Sequence, residues 1–346
     1  MRDLLRKQSP EHHSGALDMR AAFYEQTGPA RTVLQLADLP DPVPGPGEVR
    51  VRLLWSGVNP SDVKARAGLR AGPMPFPRII PHSDGMGIVD AVGDGVSAAR
   101  IGERVWLWNA AWGRACGTAA EYIALPSGQA IRLPDGVDDE VGACLGIPAT
   151  TALQAVLTRG GVAGKSVLIA GGAGAVGHYA VQCAKLLGAA QVISTVSSEA
   201  KAALVREAGA DLVIDYRSEN VAERVARATG GRGVDRIIEV DVAANGVMNI
   251  ELIRPDGEWI VYGSGTPHFT LPFFALASRN VAVCFILIYT LSPADRQHVI
   301  DTLTRLLTEG ALRHNIAARL PLERIADAHE QVEQGRTVGN IVLATG

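Results

Sequence analysis

The chain has 346 residues, 47% hydrophobic and 20% charged, the balance of a folded globular protein long enough for two domains. A formal net charge of −3 gives no electrostatic footing for nucleic acid. The longest apolar run, residues 281–289, has about half the length that a membrane span requires, so small-molecule partners are expected rather than nucleic acid or membrane.

Residues 1–18 are polar, carry His12 and His13, and read as a disordered extension. The start of the chain has no long apolar core of the secretory kind. Cys116, Cys144, Cys183 and Cys284 are widely separated and form no zinc-ribbon spacing. Reduced thiols and a cytoplasmic location are therefore expected.

Residues 21–145 are rich in strand patterns punctuated by glycine and proline. Val49, Val51, Leu53 and Trp55 alternate with Arg50, Arg52 and Leu54, the period of a half-buried strand. Residues 87–95 read as a strand leading into a tight turn. From residue 148 the pattern changes to alternating strands and helices. Strands are predicted over 166–170, 191–195, 211–215, 235–240, 258–263 and 281–288, with helices between them. One helix covers 176–187, with apolar positions Val176, Ala180, Val181, Ala184 and Leu187. Repeated βα units predict a parallel sheet wound on both faces. Helices over 293–307 and 322–334 and a strand over 340–344 complete the chain.

Gly172-Ala173-Gly174-Ala175-Val176-Gly177 follows a predicted strand and opens a predicted helix. That is the context in which the G-x-G-x-x-G pattern binds a dinucleotide. Gly172 is expected to allow the tight turn, Gly174 the approach of the pyrophosphate, and Gly177 the packing of helix on strand. Backbone N–H groups at the helix start then face the phosphates. The next strand ends Ile193-Ser194-Thr195-Val196-Ser197-Ser198 without an acidic residue. An acid there would hold a ribose 2′-hydroxyl and repel a 2′-phosphate. Ser197 can hydrogen-bond that phosphate and Lys201 can neutralise it, so NADPH is the expected cofactor.

Several segments in order resemble the zinc-free, zeta-crystallin-like quinone oxidoreductases of the medium-chain dehydrogenase/reductase superfamily. They include Gly57-Val58-Asn59-Pro60-Ser61-Asp62, Pro81-His82-Ser83-Asp84-Gly85 and Gly146-Ile147-Pro148-Ala149-Thr150-Thr151-Ala152. The glycine loop, Leu320-Pro321-Leu322-Glu323 and Ala328-His329-Glu330 continue the likeness to the C-terminus. The resemblance implies an α/β protein with two domains. A GroES-like β-rich catalytic domain would take residues 19–147 and 289–346. A Rossmann domain with a doubly wound parallel sheet would take residues 148–288.

It also implies cofactor contacts from Thr151, Ala173, Gly174, Ala175 and Val176, and a 2′-phosphate site formed by Ser197, Lys201 and Tyr216. Val261, Tyr262, Gly263 and Ser264 would lie beside the cofactor, and Phe285, Ile286 and Leu287 near its nicotinamide. Sheet core is the alternative role for these apolar residues. A homodimer is implied as well, with the strand at 281–288 at the subunit edge.

In zinc-dependent members of the superfamily, cysteine, histidine and a further cysteine or aspartate hold the metal. Those positions here are Asn59, Ser83 and Ile147, a poor donor set. His82 is one residue out of place. No metal is therefore expected. Without a Lewis acid, the reactions left are those whose acceptor itself stabilises the arriving charge. NADPH-dependent reduction of a quinone is the leading expectation, and reduction of an enone or alkenal is the alternative. Asn59 and Lys64 are the candidate catalytic donors, with a surface role open for Lys64. Asp62 is expected to fix its loop. Trp106, Trp108 and Trp112 are candidates for a flat-ring pocket, with at least one packing in the β-core. A non-enzymatic NADPH binder with a structural or RNA-binding role ranks below both enzyme readings, because no basic stripe is present.

Overall fold

A computed structural model describes residues 18–70, 72–335 and 337–346. The extension expected over 1–18 lies outside the described residues, apart from Asp18, which opens the first strand.

Strands β1 (Asp18–Phe23) and β2 (Gln35–Pro40) form an antiparallel pair. Strands β3 (Glu48–Val58), β4 (Asp84–Val92), β5 (Arg104–Leu107), β6 (Tyr122–Pro126) and β7 (Ala130–Arg132) belong to a seven-stranded sheet. In β3 the side chains of Val49, Val51 and Leu53 are buried while those of Arg50 and Arg52 face outward, as the alternation requires. A bulge between Leu53 and Trp55 then breaks the period, and Ser56, Gly57 and Val58 are all buried. That bulge turns the end of β3 into the interior, where it leads to Asn59.

Strands β8 (Ser166–Ile169), β9 (Gln191–Val196), β10 (Leu212–Asp215), β11 (Val234–Glu239), β12 (Ile253–Val261) and β13 (Ala282–Phe285) form a parallel sheet in the order β10-β9-β8-β11-β12-β13. The chain order reverses beside β8, so a crevice opens between the carboxyl ends of β8 and β11, where open α/β sheets bind ligands. Strands β14 (Ile316–Pro321) and β15 (Asn340–Ala344) then rejoin the first sheet, with β15 antiparallel to β3. The architecture is the two-domain α/β fold implied by the resemblance.

Three elements differ from their sequence expectation. The strand expected over 281–288 ends at Phe285. Among the described residues it has one partner strand, and Tyr289 is drawn away from the sheet by bonds to Ser61 and Asn109. The helix expected over 322–334 begins as a 3-10 turn, Leu322–Arg324, and continues as Ile325–Glu333. The helix Pro293–Thr308 lies beyond the division at 289, yet it packs on the helix Thr150–Leu157. Its stripe of Val299, Leu303 and Leu306 joins a core shared with Val181 and Ala184 of the helix Ala175–Leu186. An apolar stripe must find an apolar face, and the nucleotide-side helices supply it.

Candidate active site

The glycine loop joins β8 to the helix Ala175–Leu186. The left-handed conformation falls on Gly171, with φ 68°, rather than on Gly172 where the motif suggested the tight turn. Gly172 is needed for packing instead, since a Cβ there would lie 2.1 Å from Ser194 Oγ in β9. A Cβ on Gly177 would lie 2.3 Å from the Gly171 carbonyl, so the helix start can approach the loop only as glycine. At Gly174 the nearest atom to an added Cβ is the Gly171 oxygen at 3.3 Å, so this face is comparatively open. The loop is held by β9, where Thr195 Oγ1 accepts from Gly171 N–H at 3.2 Å and Thr195 O from Gly172 N–H at 3.2 Å. Backbone donors in the first turn of a helix lack intrahelical acceptors and suit a phosphate. This cradle fits a dinucleotide. Ala173 is buried in it, Ala175 and Val176 are half-buried, and Thr151 is buried at the start of its own helix.

The residues expected at the adenosine end follow β9 and β10. Lys201 Nζ donates to Ser197 Oγ at 2.9 Å. Tyr216 follows β10, its N–H donates to Val196 O at 3.1 Å, and its ring is exposed. On the other side of β8, Gly263 sits so close to Val240 that a Cβ would fall 2.2 Å from the Val240 carbonyl. Val261, Tyr262, Gly263 and Ser264 thus run across the end of the sheet beside the glycine loop. Phe285 and Leu287 are exposed at the end of β13, and Ile286 N–H donates to Val261 O at 2.9 Å.

Facing this crevice, the bulged β3 delivers Asn59 to the start of the helix Pro60–Arg66. Asn59 and Ile147 meet at one carboxyl group, that of Asp84. Asn59 Nδ2 donates to Asp84 Oδ2 at 2.9 Å, and Ile147 N–H donates to the same oxygen at 3.0 Å. Ser83 is the preceding residue and is buried. Asp84 is fully buried, and burial holds its carboxyl well above the usual carboxylate range. Its other oxygen has no partner among the described residues. Asp62 Oδ2 accepts from Asn59 N–H at 2.9 Å, which fixes the turn, and burial pushes its carboxyl up to about 7. Beneath these, His82 Nδ1 shares a hydrogen bond with Ser56 Oγ at 2.8 Å, and His82 Nε2 with His329 Nε2 at 2.9 Å. Burial lowers His82 to about 3 and lowers His329 as well, so both imidazoles are neutral near pH 7.

A cavity of about 470 Å³ opens beside this polar centre. Asp62, Ser83, Arg70, Trp112 and Tyr289 are among its walls. The rings of Trp112 and Tyr289 are stacked with centroids 4.5 Å apart. Of the three candidate tryptophans, only Trp112 lines the cavity. Trp106 is fully buried in the core, and Trp108 lies under Arg296 at 4.2 Å. Lys64 is not among the cavity walls; its Nζ donates to the Ser264 carbonyl at 3.0 Å, bridging the two sheets' loops.

These features have close parallels in known proteins. Residues 175–305 match the family described as zinc-binding dehydrogenase, and residues 45–135 match the alcohol dehydrogenase GroES-like domain. A quinone oxidoreductase of Pseudomonas aeruginosa is 32% identical over 335 residues, covering 94% of this chain and 98% of the relative. The chain belongs to the quinone oxidoreductase family of the medium-chain dehydrogenase/reductase superfamily. It is an oxidoreductase whose Rossmann domain binds a nicotinamide cofactor. Among solved structures, an NAD-dependent alcohol dehydrogenase superimposes with a TM-score of 0.86 at 31% identity, covering 95% of this chain and all 100% of the other. A mycobacterial protein complexed with NADPH superimposes at 0.84 with 29% identity, covering 94% and 99%.

The name of the matched dehydrogenase family raises the question of zinc. The donor set does not fit that metal. The three positions carry an amide, a hydroxyl and an aliphatic side chain, and the neighbouring Asp84 carboxyl already accepts from Asn59 Nδ2 and from Ile147 N–H. Among the described residues, no group of three or more His, Cys, Asp or Glu is placed to hold an ion.

This member of the family also has features that its sequence did not reveal. Asp84 was visible beside Ser83, but nothing local marked it as the group on which Asn59 and Ile147 converge. Arg70 and Tyr289 carry no motif. They reach the cavity from the loop after the helix Pro60–Arg66 and from the segment leaving β13.

Proposed function

We propose that this chain is an NADPH-dependent, metal-independent reductase of conjugated carbonyl acceptors, with quinones as the leading class. The observation that supports the reading is the buried Asn59–Asp84 hydrogen bond, beside a position that the resemblance assigns to a zinc ligand in zinc-dependent relatives. Acceptors that stabilise negative charge themselves are the ones such a site can serve. Ser197, Lys201 and Tyr216 support NADPH over NADH, because the cluster offers a cation and hydroxyls and no carboxylate.

Bound NADPH would supply the hydride. The glycine loop and Val261, Tyr262, Gly263 and Ser264 would hold and orient it. The chain's own task is then to place a flat acceptor in the cavity and to face its carbonyl oxygen with donors. Asn59 has a second amide hydrogen beyond the one given to Asp84. Lys64 has two protons beyond the one given to Ser264, and its bond to that loop couples acceptor and cofactor sides. Asp62, with its carboxyl raised to about 7, holds a proton near neutral pH at the cavity wall. Reduction of enones is the second reading, favoured by the ammonium group of Lys64, which can donate to an oxygen that gains charge.

A homodimer completes the proposal. Strand β13 has one partner strand among the described residues, and Phe285 and Leu287 beside it are 61% and 50% exposed. A monomeric mass in solution would contradict this.

Steady-state assays of a quinone and enone panel with each nicotinamide test the main reading. Turnover with NADPH at a kcat/KM at least about tenfold above that with NADH is expected, a difference of one good charge contact. Comparable values for the two cofactors, or no acceptor reduced, would overturn it.

A further inference from the structure

The cavity wall contains an arginine, Arg70, that makes no ion pair among the described residues. Neighbouring arginines are committed. Arg66 pairs with Glu333 and Gly28, and Arg78 pairs with Glu25. Arg114, also in the cavity wall, donates to the carbonyls of Ala110 at 3.0 Å and Ala124 at 3.3 Å. Arg70 makes contacts of a different kind. Its guanidinium lies 5.9 Å from the Trp112 ring centroid and 5.7 Å from that of Tyr289. Among the described residues, no carboxylate oxygen lies within 4.0 Å of it. Stacking on aromatic faces orients a guanidinium and leaves its edge N–H groups free for another partner.

The aromatic pair beneath Arg70 is itself anchored. Tyr289 Oη donates to Ser61 Oγ at 2.8 Å, and Asn109 Nδ2 donates to Tyr289 O at 3.1 Å. Trp112 stacks on that tyrosine with an interplanar angle of 16°. This part of the wall is therefore a stacked, anchored ring pair with a cation held beside both rings. Among the described residues the acidic residue in the cavity wall is Asp62, whose Oδ2 accepts from Asn59 N–H and whose carboxyl feels the Arg70 charge without pairing with it.

We propose that Arg70 determines acceptor specificity, selecting flat conjugated acceptors that carry a carboxylate at the end remote from the reacting carbonyl. The ring system would lie in the cavity against the stacked Trp112–Tyr289 pair, and the carboxylate would take paired N–H donors of Arg70. A neutral acceptor of the same shape would forgo that contact. The proposal rests on the reading of this cavity as the acceptor site, and deepens it.

The test uses a pair of ligands that differ only in charge, 4-carboxybenzalacetone and its methyl ester. For wild type, Arg70→Gln and Arg70→Lys, kcat/KM with NADPH is measured for both compounds and expressed as the acid-to-ester ratio. Each enzyme is its own reference, so a general loss of activity cancels. The wild-type ratio is expected to exceed unity by about 10- to 100-fold, carried by KM, with Arg70→Gln bringing it near one and Arg70→Lys restoring part of it. A wild-type ratio at or below one, or an unchanged ratio in Arg70→Gln, would overturn the proposal. Binding of the same two compounds, followed by quenching of tryptophan fluorescence, separates this from the reductase reading. If neither compound is reduced but the acid binds tighter than the ester only when Arg70 is present, the specificity assignment stands and the enone reading fails, the quinone reading being decided by the acceptor panel. If Arg70→Gln binds both compounds like wild type, the specificity assignment fails whether or not they are reduced.

Discussion

The two ends of the crevice are built on different principles. The cofactor end is made of backbone: Gly171, Gly172 and Gly177 are positions where a side chain would meet Ser194, Val240 or the loop itself. The proposed acceptor end is made of side chains from distant segments: Asn59, Asp84, Arg70, Trp112 and Tyr289. A backbone cradle tolerates few residue types and is legible as a motif. A side-chain site can be assembled in many ways, so its chemistry shows only once the fold has brought its members together.

That contrast predicts a gradient of mutational effects. The largest belongs to the cradle. Gly177→Ala places a Cβ 2.3 Å from the Gly171 carbonyl, a backbone atom that cannot rotate aside. It should weaken NADPH binding by about 100-fold, the equivalent of about 3 kcal/mol, as read by nucleotide fluorescence titration. Wild-type affinity in that variant would erase the distinction between the two ends.

Next is the adenosine cluster. Ser197→Asp puts a carboxylate beside Lys201 and should lower the NADPH-to-NADH preference by about 10- to 100-fold in kcat/KM. An unchanged preference would remove this cluster from cofactor selection.

At the acceptor end, Asn59→Ala takes one of two donors from the buried Asp84 carboxyl. A cost of about 1–3 kcal/mol in a denaturant titration is expected, together with a fall in kcat. A stable variant with full activity would show that the pair is incidental.

The smallest effect concerns pH. The Asp62 carboxyl is raised to about 7 from 3.8, so the folded chain keeps a proton that the unfolded chain has lost across that interval. Its contribution to stability is therefore present at low pH and is lost as pH rises towards 7. His82, lowered to about 3 from 6.5, acts in the opposite sense, losing its contribution as pH falls from 6.5 to 3. Asp62→Asn should flatten only the loss on the neutral side, seen as a smaller change in Tm between pH 5 and pH 8 than in wild type.

Much of the fold was legible in the sequence because its signals are local. The alternation of β3, the βα repeats and the glycine loop each lie within a short window. The terminal strand at 340–344 was readable for the same reason. The bulge after Leu53 was not, since it answers to the partner strand β4 rather than to residues 49–55. The early end of β13 was hidden because Tyr289 is held by Ser61 and Asn109, remote in sequence. The same distance effect hid Asp84, His329 and Arg70. Gly172 was named correctly as a required glycine, but for a turn that Gly171 makes; the true constraint is Ser194.

The central claim is that an amide and a carboxyl stand in for a metal in an enzyme that reduces activated acceptors with NADPH. The most direct measurement is kcat/KM for quinone reduction with NADPH before and after exhaustive treatment with a strong zinc chelator. An unchanged value is expected. Loss of activity on chelation that zinc restores would contradict the account.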